Sequence, residues 1–369
     1  MNIRQKPRYS HKMSKKYQLK KLRLTLPIII SLGLLFGGSW WWKTQNSPMI
    51  ATEEPAAESV KPVRFTVRSG MTGQQIGREL IATGLIRSAD AWKIWTWFKQ
   101  KQDSSGGFKA GTYLLSSQES LSAIASKIWN GEIMQTTFTI PEGWSISQMA
   151  GYFESLGYFD ADEFISATKD IPYEKYPWLP PDLPILEGFL YPDTYKISSD
   201  RLENPRAVIN TMLDQFQRIA LPVYEQAQTD YSLLDWVSLS SIVEKEAVVG
   251  EERALIAGVF TARLQQGMRL ESDPTVEYGL GIRQTADQPL TYKQVGTPSP
   301  YNTYLNYGLT PTPIAAPGIA SLKATLNPES TEYLFFVARY DGTHVFSKTL
   351  AEHEAATREI RRQRQQANP

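Results

Sequence analysis

Two glutamates separated by one residue, in the run Ser241-Ile-Val-Glu-Lys-Glu246, carry the strongest chemical signal in this 369-residue chain. The apolar spacing predicts a helix over 233–249, closed by Gly250. At about 100° per residue, Trp236, Leu239, Ile242 and Val243 share one apolar stripe. Glu246 falls in the middle of it, one turn after Ile242 and Val243 and two after Leu239. Glu244 lies off the stripe, beside Val237, Ser240 and Val248; with Lys245 it reads as a solvated edge, and Glu244 and Ser241 as supporting positions. A carboxyl on an apolar stripe is desolvated, which favours its protonated form. A carboxylic acid that is still protonated near neutral pH is what general-acid cleavage of a glycosidic bond requires. The competing expectation is a structural ion pair with a buried arginine such as Arg253 or Arg263.

The segments that would have to face Glu246 are unusual for a compact domain. Residues 269–318 are rich in Gly, Pro, Tyr, Thr and Asn and show no clear periodicity, so they read as a long functional loop. Asp273-Pro-Thr-Val-Glu-Tyr-Gly279, Ser299-Pro-Tyr-Asn-Thr-Tyr304 and Gly308-Leu-Thr-Pro-Thr-Pro313 mix aromatic rings with amides and hydroxyls. Sugars are bound by such mixtures, with rings against pyranose faces and polar groups on the hydroxyls. Tyr278, Tyr301, Asn302, Thr303 and Tyr304 are therefore expected to contact the sugar or orient Glu246, and Asp273 to shape the cleft. An ordinary proline-rich loop with its tyrosines on the core is the alternative. Glu187-Gly-Phe-Leu-Tyr-Pro-Asp-Thr-Tyr195 has the same character.

Other chemistries are poorly supplied. The chain has no cysteine and three histidines, His11, His344 and His353, with no His-Glu-x-x-His pair, so neither a metal centre nor a cofactor is expected. It has no Gly-x-Ser-x-Gly, dinucleotide fingerprint or phosphate loop. His344 lies in an expected strand and reads as structural. Residues 1–23 hold nine Lys/Arg and no acid, which leaves 30 of the 39 basic residues against 38 acidic ones in the rest. No nucleic-acid partner is expected from that balance. The basic tail abuts Leu24–Trp42, 19 residues without a charge that end in three tryptophans. That length suits the ~30 Å of a bilayer core, and the flanking charge puts the N-terminus in the cytoplasm and the bulk outside it.

The elements that must position Glu246 follow from local signals. Residues 43–62 read as a Pro- and Glu-containing linker. Arg64–Arg68 alternates as a strand, Thr72-Gly-Gln-Gln75 has capping-box spacing, and Leu121–Trp129 is amphipathic. The pattern recurs at an offset of 73: Gly70, Thr72, Gln75, Ile76 and Leu80 align with Gly143, Ser145, Gln148, Met149 and Phe153. A strand–turn–helix unit used twice is the expectation. After the Glu246 helix come a second helix over 251–266, a β-hairpin of 333–339 and 343–347 across Asp341-Gly342, and a charged helix from Leu350.

At these residues the sequence resembles the YceG-like family of endolytic murein transglycosylases. The resemblance rests on SIVEKEAVVGEERALIAGVFTARLQQGMRLESDPTVEYGLG (241–281) and YNTYLNYGLTPTPIAAPGIASLKATLNP (301–328), with KAGTY (109–113), PEG (141–143) and EGFLYPDTY (187–195), and spans about 63–355. It implies a protein of the inner membrane, single-pass, with a LysM-like subdomain and a periplasmic catalytic domain. The reaction implied is cleavage of the β-1,4 bond from N-acetylmuramic acid to N-acetylglucosamine in nascent peptidoglycan strands. It leaves a 1,6-anhydro-muramyl end and terminates strand growth beside membrane peptidoglycan synthases. The second glutamate of the family's Glu-x-Glu pair is catalytic, which is Glu246 in this chain.

The expected fold is α+β: a basic tail (1–23), a transmembrane helix (24–42), a linker (43–62), a small LysM-like βααβ subdomain (63–137) and a larger α+β catalytic domain (138–369). Two other readings stay open. One is a non-catalytic wall-binding scaffold for synthases; the other is an inverting muramidase with Asp273 or Glu277 as second carboxylate, which would leave reducing ends.

Overall fold

Strand β1 (Val63–Val67) runs into a tight turn, and Thr72 then starts helix α1 (Gly73–Ala82) through a reciprocal capping box with Gln75. Helix α2 (Ala89–Gln102) follows, and β2 (Gly111–Leu115) returns antiparallel to β1, with Phe65 opposite Tyr113 and Thr66 opposite Thr112. Helix α3 (Leu121–Asn130) ends at Gly131 in the left-handed region. Phe65, Ile76, Leu80, Trp92, Tyr113 and Ile124 fill this small core. These elements belong to the first of two units, Met1–Met134 and Gln135–Pro369, of a computed structural model. It describes residues 31, 33, 35–50, 61–285, 288–339 and 341–367.

Residues 24–30, 32 and 34 of the apolar run Leu24–Trp42 lie outside the described residues; 35–46 are helical, and among the described residues no helix is long and apolar enough to cross a membrane. Asn46 and Met49 are tied to Ser122 and Ser117, so this part of the linker packs along the first unit.

The second unit opens with the same design. Strand β3 (Gln135–Thr139) leads to α4 (Ile146–Ser155), again started by a capping box, here between Ser145 and Gln148, and then α5 (Ala161–Lys169). Strand β4 (Thr194–Ser198) closes antiparallel on β3, with Phe138 opposite Tyr195 and Thr139 opposite Thr194. The described residues thus contain two βααβ units whose capped helices are 73 positions apart, as the sequence repeat implies.

Residues 199–225 fold as α6 (Ser199–Leu202), α7 (Pro205–Ile219) and α8 (Leu221–Glu225), with Val208, Ile209, Met212, Leu213 and Phe216 on the buried face of α7. Helix α9 (Leu233–Glu246) is the spine of the unit, with Trp236 and Val237 in one core cluster and Leu239, Ile242 and Val243 in the next. It stops at Glu246, three residues earlier than expected, because Ala247 turns extended (φ −83°, ψ 100°) ahead of two β-branched valines. A 3₁₀ turn (Gly250–Glu252) precedes α10 (Arg253–Gln265). The 269–318 segment, expected as continuous loop, contains α11 (Asp273–Leu280), with Pro274 in its first turn and Gly281 capping it, and α12 (Tyr292–Val295). Then come α13 (Ile319–Leu326), the hairpin β5 (Phe335–Ala338) and β6 (His344–Ser347), and α14 (Leu350–Ala367). The protein is a mixed α+β chain.

Candidate active site

Residues Trp236–Val243 of α9 are buried all round, which the apolar-stripe argument did not require. The serines on its polar side are buried too; Ser240 and Ser241 return their hydroxyls to the carbonyls of Trp236 and Ser238. Ser241 also accepts the Ile314 amide at 3.0 Å, so its role is to fasten the 314 segment to the helix. Glu246 stands where this buried helix ends and is half-buried.

Desolvation pushes the Glu246 carboxyl up to about 7, with the charges of Asp273 and Glu277 in the same direction; the Ser272 hydroxyl and the Arg263 charge oppose it. The exposed area alone would suggest a milder environment. The carboxyl end is what protein crowds, and the residual exposure is the access a proton donor needs. Ser272 donates to Glu246 Oε1 at 2.6 Å. The expected alternative, an ion pair with Arg253 or Arg263, does not form among the described residues: Arg263 donates to the carbonyls of Leu334, Arg269 and Leu270 and pairs with Glu271.

Ser272 is itself held from below. Its amide donates to Thr303 Oγ1 at 3.0 Å, and Thr303 shares a 2.8 Å hydroxyl contact with Thr275. Thr303 and Asn302 are both buried, so of the two expected roles, contacting the sugar or orienting Glu246, the structure leaves Thr303 the second. The Asn302 amide group donates to the Val295 and Thr297 carbonyls, and its oxygen accepts from the Tyr304 amide, so all its capacity is spent on the loop. Thr303 acts through Ser272. Sequence reasoning reaches Thr303 but misses Ser272 and Thr275, although Ser272 directly precedes the Asp-Pro that starts α11.

Asp273 accepts from Tyr304 Oη at 2.6 Å and from the Gln284 amide at 3.2 Å. Burial raises the Tyr304 hydroxyl, and Asp273 and Glu246 add to it, so this phenol stays protonated as a donor. Tyr278 and Tyr301 meet edge to face at 4.8 Å; Tyr301 Oη contacts Thr312 and Tyr278 Oη donates to Glu187. Asp273 and Tyr278 of α11 are thus tied to the 301–304 loop, the first by the Tyr304 hydrogen bond and the second by its ring contact with Tyr301.

Glu244 is not a solvated edge. It is half-buried, and its carboxylate accepts from the Gly318 amide at 3.1 Å and the Ser321 hydroxyl at 2.6 Å at the start of α13. The Glu142 carboxyl lies where a Cβ on Gly318 would stand, so a side chain there would have to displace it. Burial and the Glu244 charge push Glu142 upward. Thus Glu244 anchors the C-terminal part of α9. His344, as expected, is structural: buried, with its ring Nδ1 2.7 Å from Glu252.

A second buried carboxyl, Glu187, lies in the EGFLYPDTY segment. It receives the Ile146 amide at 3.0 Å and the Tyr278 hydroxyl at 3.0 Å, and desolvation pushes it up to about 7. Gly188 (φ +83°) lets the chain pass this point, since a Cβ would strike Pro313 and Val237. Glu187 lines a cleft of about 500 Å³ together with Lys245, Glu277 and Tyr278. Glu246 is not part of that lining, although its chain neighbour Lys245 is. A hollow of about 480 Å³ at Pro298–Pro300, Leu305 and Asn306 holds no titratable group and offers no chemistry. No group of three or more metal-ligating side chains occurs among the described residues.

A half-buried acid near neutral pKa, held by one hydroxyl and flanked by carboxylates and phenols, can protonate an ether oxygen and take a proton back. Proteins of known type share this chain's pattern. Over 326 residues it is 32% identical to the endolytic murein transglycosylase of Bacillus subtilis, covering 82% of this chain and 86% of that protein. The endolytic murein transglycosylase of Streptococcus pneumoniae D39 is 29% identical over 333 residues, 81% of this chain but 58% of its own length. A solved YceG-like protein of Listeria monocytogenes superposes with a TM-score of 0.51 at 30% identity, over 81% of this chain and all of that one. A sequence model of the YceG-like family matches residues 65–359, and the chain belongs to that family.

Proposed function

We propose that this chain is an endolytic murein transglycosylase with Glu246 as its single acid–base. The observation that carries the reading is a carboxyl raised to about 7 at the open end of a buried helix, free of any cation partner among the described residues. Protonated Glu246 gives its proton to the glycosidic oxygen of N-acetylglucosamine as the bond from muramyl C1 breaks. The carboxylate then removes the proton of the muramyl 6-hydroxyl as that oxygen bonds to C1. The products are a free 4-hydroxyl and a 1,6-anhydro ring; no water is consumed, so no second carboxylate is needed. Ser272 fixes one carboxyl oxygen and leaves the other for the sugar.

The neighbouring reading, that the chain sits in the inner membrane with its catalytic part outside the cytoplasm, is supported by the charge-free run after the basic tail and by the exposure of Leu35, Phe36 and Trp40. A tethered enzyme of that kind would act on nascent strands near membrane synthases, with the LysM-like subdomain of 63–137 as a wall-binding module.

Mass spectrometry of peptidoglycan digested with the full chain tests the chemistry. Anhydro-muramyl ends from the wild type, and at least a hundredfold fewer from Glu246→Gln, are expected. Reducing ends would move the chemistry to a two-carboxylate hydrolase; a folded chain that binds strands without cutting them would be a scaffold. Ser272→Ala removes the bond that lowers the Glu246 pKa, so the alkaline limit of activity, set by loss of the Glu246 proton, should move up.

A further inference from the structure

Resting on the transglycosylase reading, we propose that the 500 Å³ cleft between α4 and α11 holds the peptide stem carried by the muramyl residue being cut. The cleft lies where such a stem would go. Lys245, next in the chain to Glu246, is in its wall, and so is Glu277, whose charge acts on Glu246. The stem hangs from the lactyl ether of the same sugar ring whose C1 is attacked, so it leaves the scissile bond within about one ring width.

The walls suit a peptide better than a pyranose. Ile165, Ile185, Ile282 and Ile314 line them, with Tyr278 as the one aromatic ring. Sugars favour aromatic platforms, whereas small aliphatic side chains such as the stem's alanines pack on branched aliphatic walls. The stem also carries free carboxylates. Lys245 and Arg283 are exposed in the lining, and among the described residues neither pairs with an acid within 4.0 Å. Lys245 has a single donor contact, to the Gly143 carbonyl at 3.3 Å. Glu277 lies in the field of both cations and can receive the amine of a stem's basic residue. The floor is built rather than incidental: Glu187 is 2% exposed, clamped by the Ile146 amide and the Tyr278 hydroxyl.

The test uses the full chain on two pools of glycan strands, one with stems and one stripped by a muramyl-alanine amidase. The wild type should show kcat/KM about tenfold higher on stem-bearing strands, and Lys245→Ala with Arg283→Ala should bring the ratio close to one. A wild-type ratio of one, or a ratio that survives the double substitution, overturns the assignment. A binding measurement separates this from the chemistry. Titrated into Glu246→Gln protein, N-acetylmuramyl-L-alanyl-D-glutamate should bind about tenfold tighter than N-acetylmuramic acid, and the double substitution should abolish the difference. Equal binding of the two sugars overturns the assignment. A chain that cuts neither pool yet binds the dipeptide through the two cations defeats the transglycosylase reading, and with it the link to a cut residue, while the cleft's affinity for a stem is seen separately.

Discussion

The two βααβ units are built from the same parts and put to different use. Each pairs a Phe with a Tyr and a Thr with a Thr across its two strands: Phe65 with Tyr113 and Thr66 with Thr112, then Phe138 with Tyr195 and Thr139 with Thr194. In each, the tyrosine hydroxyl reaches back four residues to a carbonyl, of Lys109 and of Tyr191. Each capped helix is followed by a glycine at positive φ, Gly84 and Gly157. The difference is in the turn before the helix. In the first unit Arg68, Ser69 and Gly70 are exposed. In the second, Gly143 is buried, exchanges backbone bonds with Ala316 through itself and Trp144, and gives its carbonyl to Lys245. Where the first helix begins with Gly73 under Phe108, the second begins with Ile146, whose amide is held by Glu187. The second frame thus lines the cleft beside Glu246 because its turn is tied to other segments, not because its fold differs.

If that is right, the second unit should be far more sensitive at this junction. Glu187→Leu strands the Ile146 amide and the Tyr278 hydroxyl in a buried place. It should cost about 3 kcal/mol and most of the activity. Ser105→Ala, in the corresponding connection of the first unit, is exposed and should stay within about 0.5 kcal/mol. Denaturant melts of the two variants check it; a mild Glu187→Leu would mean that the junction holds nothing together.

The pH response should divide the units next. Glu187 and Glu246 both have pKa values raised to about 7 from 4.5, so between these values the folded second unit binds more protons than its unfolded chain. Stability must then fall as pH rises from about 4.5 through about 7, and level off above. In the first unit the carboxyl with a resolved shift, Asp103, moves the other way. Thermal melts at pH 5 and pH 8 should show the second unit losing on the order of 5 kcal/mol on going to pH 8, a loss that Glu246→Gln with Glu187→Gln removes. A second unit that is more stable at pH 8 would contradict the burial of both carboxyls.

What was legible in the sequence was what short stretches determine. Capping boxes at Thr72 and Ser145, the hairpin at Asp341-Gly342, and Glu246 on a core helix each depend on neighbours within one or two turns. What was missed depends on distance along the chain. Ser272 reaches Glu246 across 26 residues, and Glu187 reaches Tyr278 across 91. Helix α11 escaped because eight residues are too few to establish a period, although Pro274 and Gly281 mark both its ends. Asn302 was overread for a chemical reason: its polar groups suggest a ligand, but a loop with buried backbone needs the same groups for itself.

The smallest effects test whether the frame is shared at all. Tyr113→Phe and Tyr195→Phe each delete one hydroxyl bonded to a backbone carbonyl, and each should cost about 1 kcal/mol. Only Tyr195→Phe should also lower turnover, since its strand carries on from the EGFLYPDTY segment that holds Glu187. Thr66→Val and Thr139→Val remove the cross-strand hydroxyl contacts, of 3.0 Å to Thr112 and 2.9 Å to Thr194. Both pairs are exposed, and valine keeps the strand's preference for a β-branched residue, so each should cost only about 0.2–0.5 kcal/mol, and by equal amounts. The equality matters more than the size. A Thr139→Val several times worse than Thr66→Val would mean that ties to the rest of the second unit reach the sheet itself, and that the likeness of the two frames is one of shape without equal energetics.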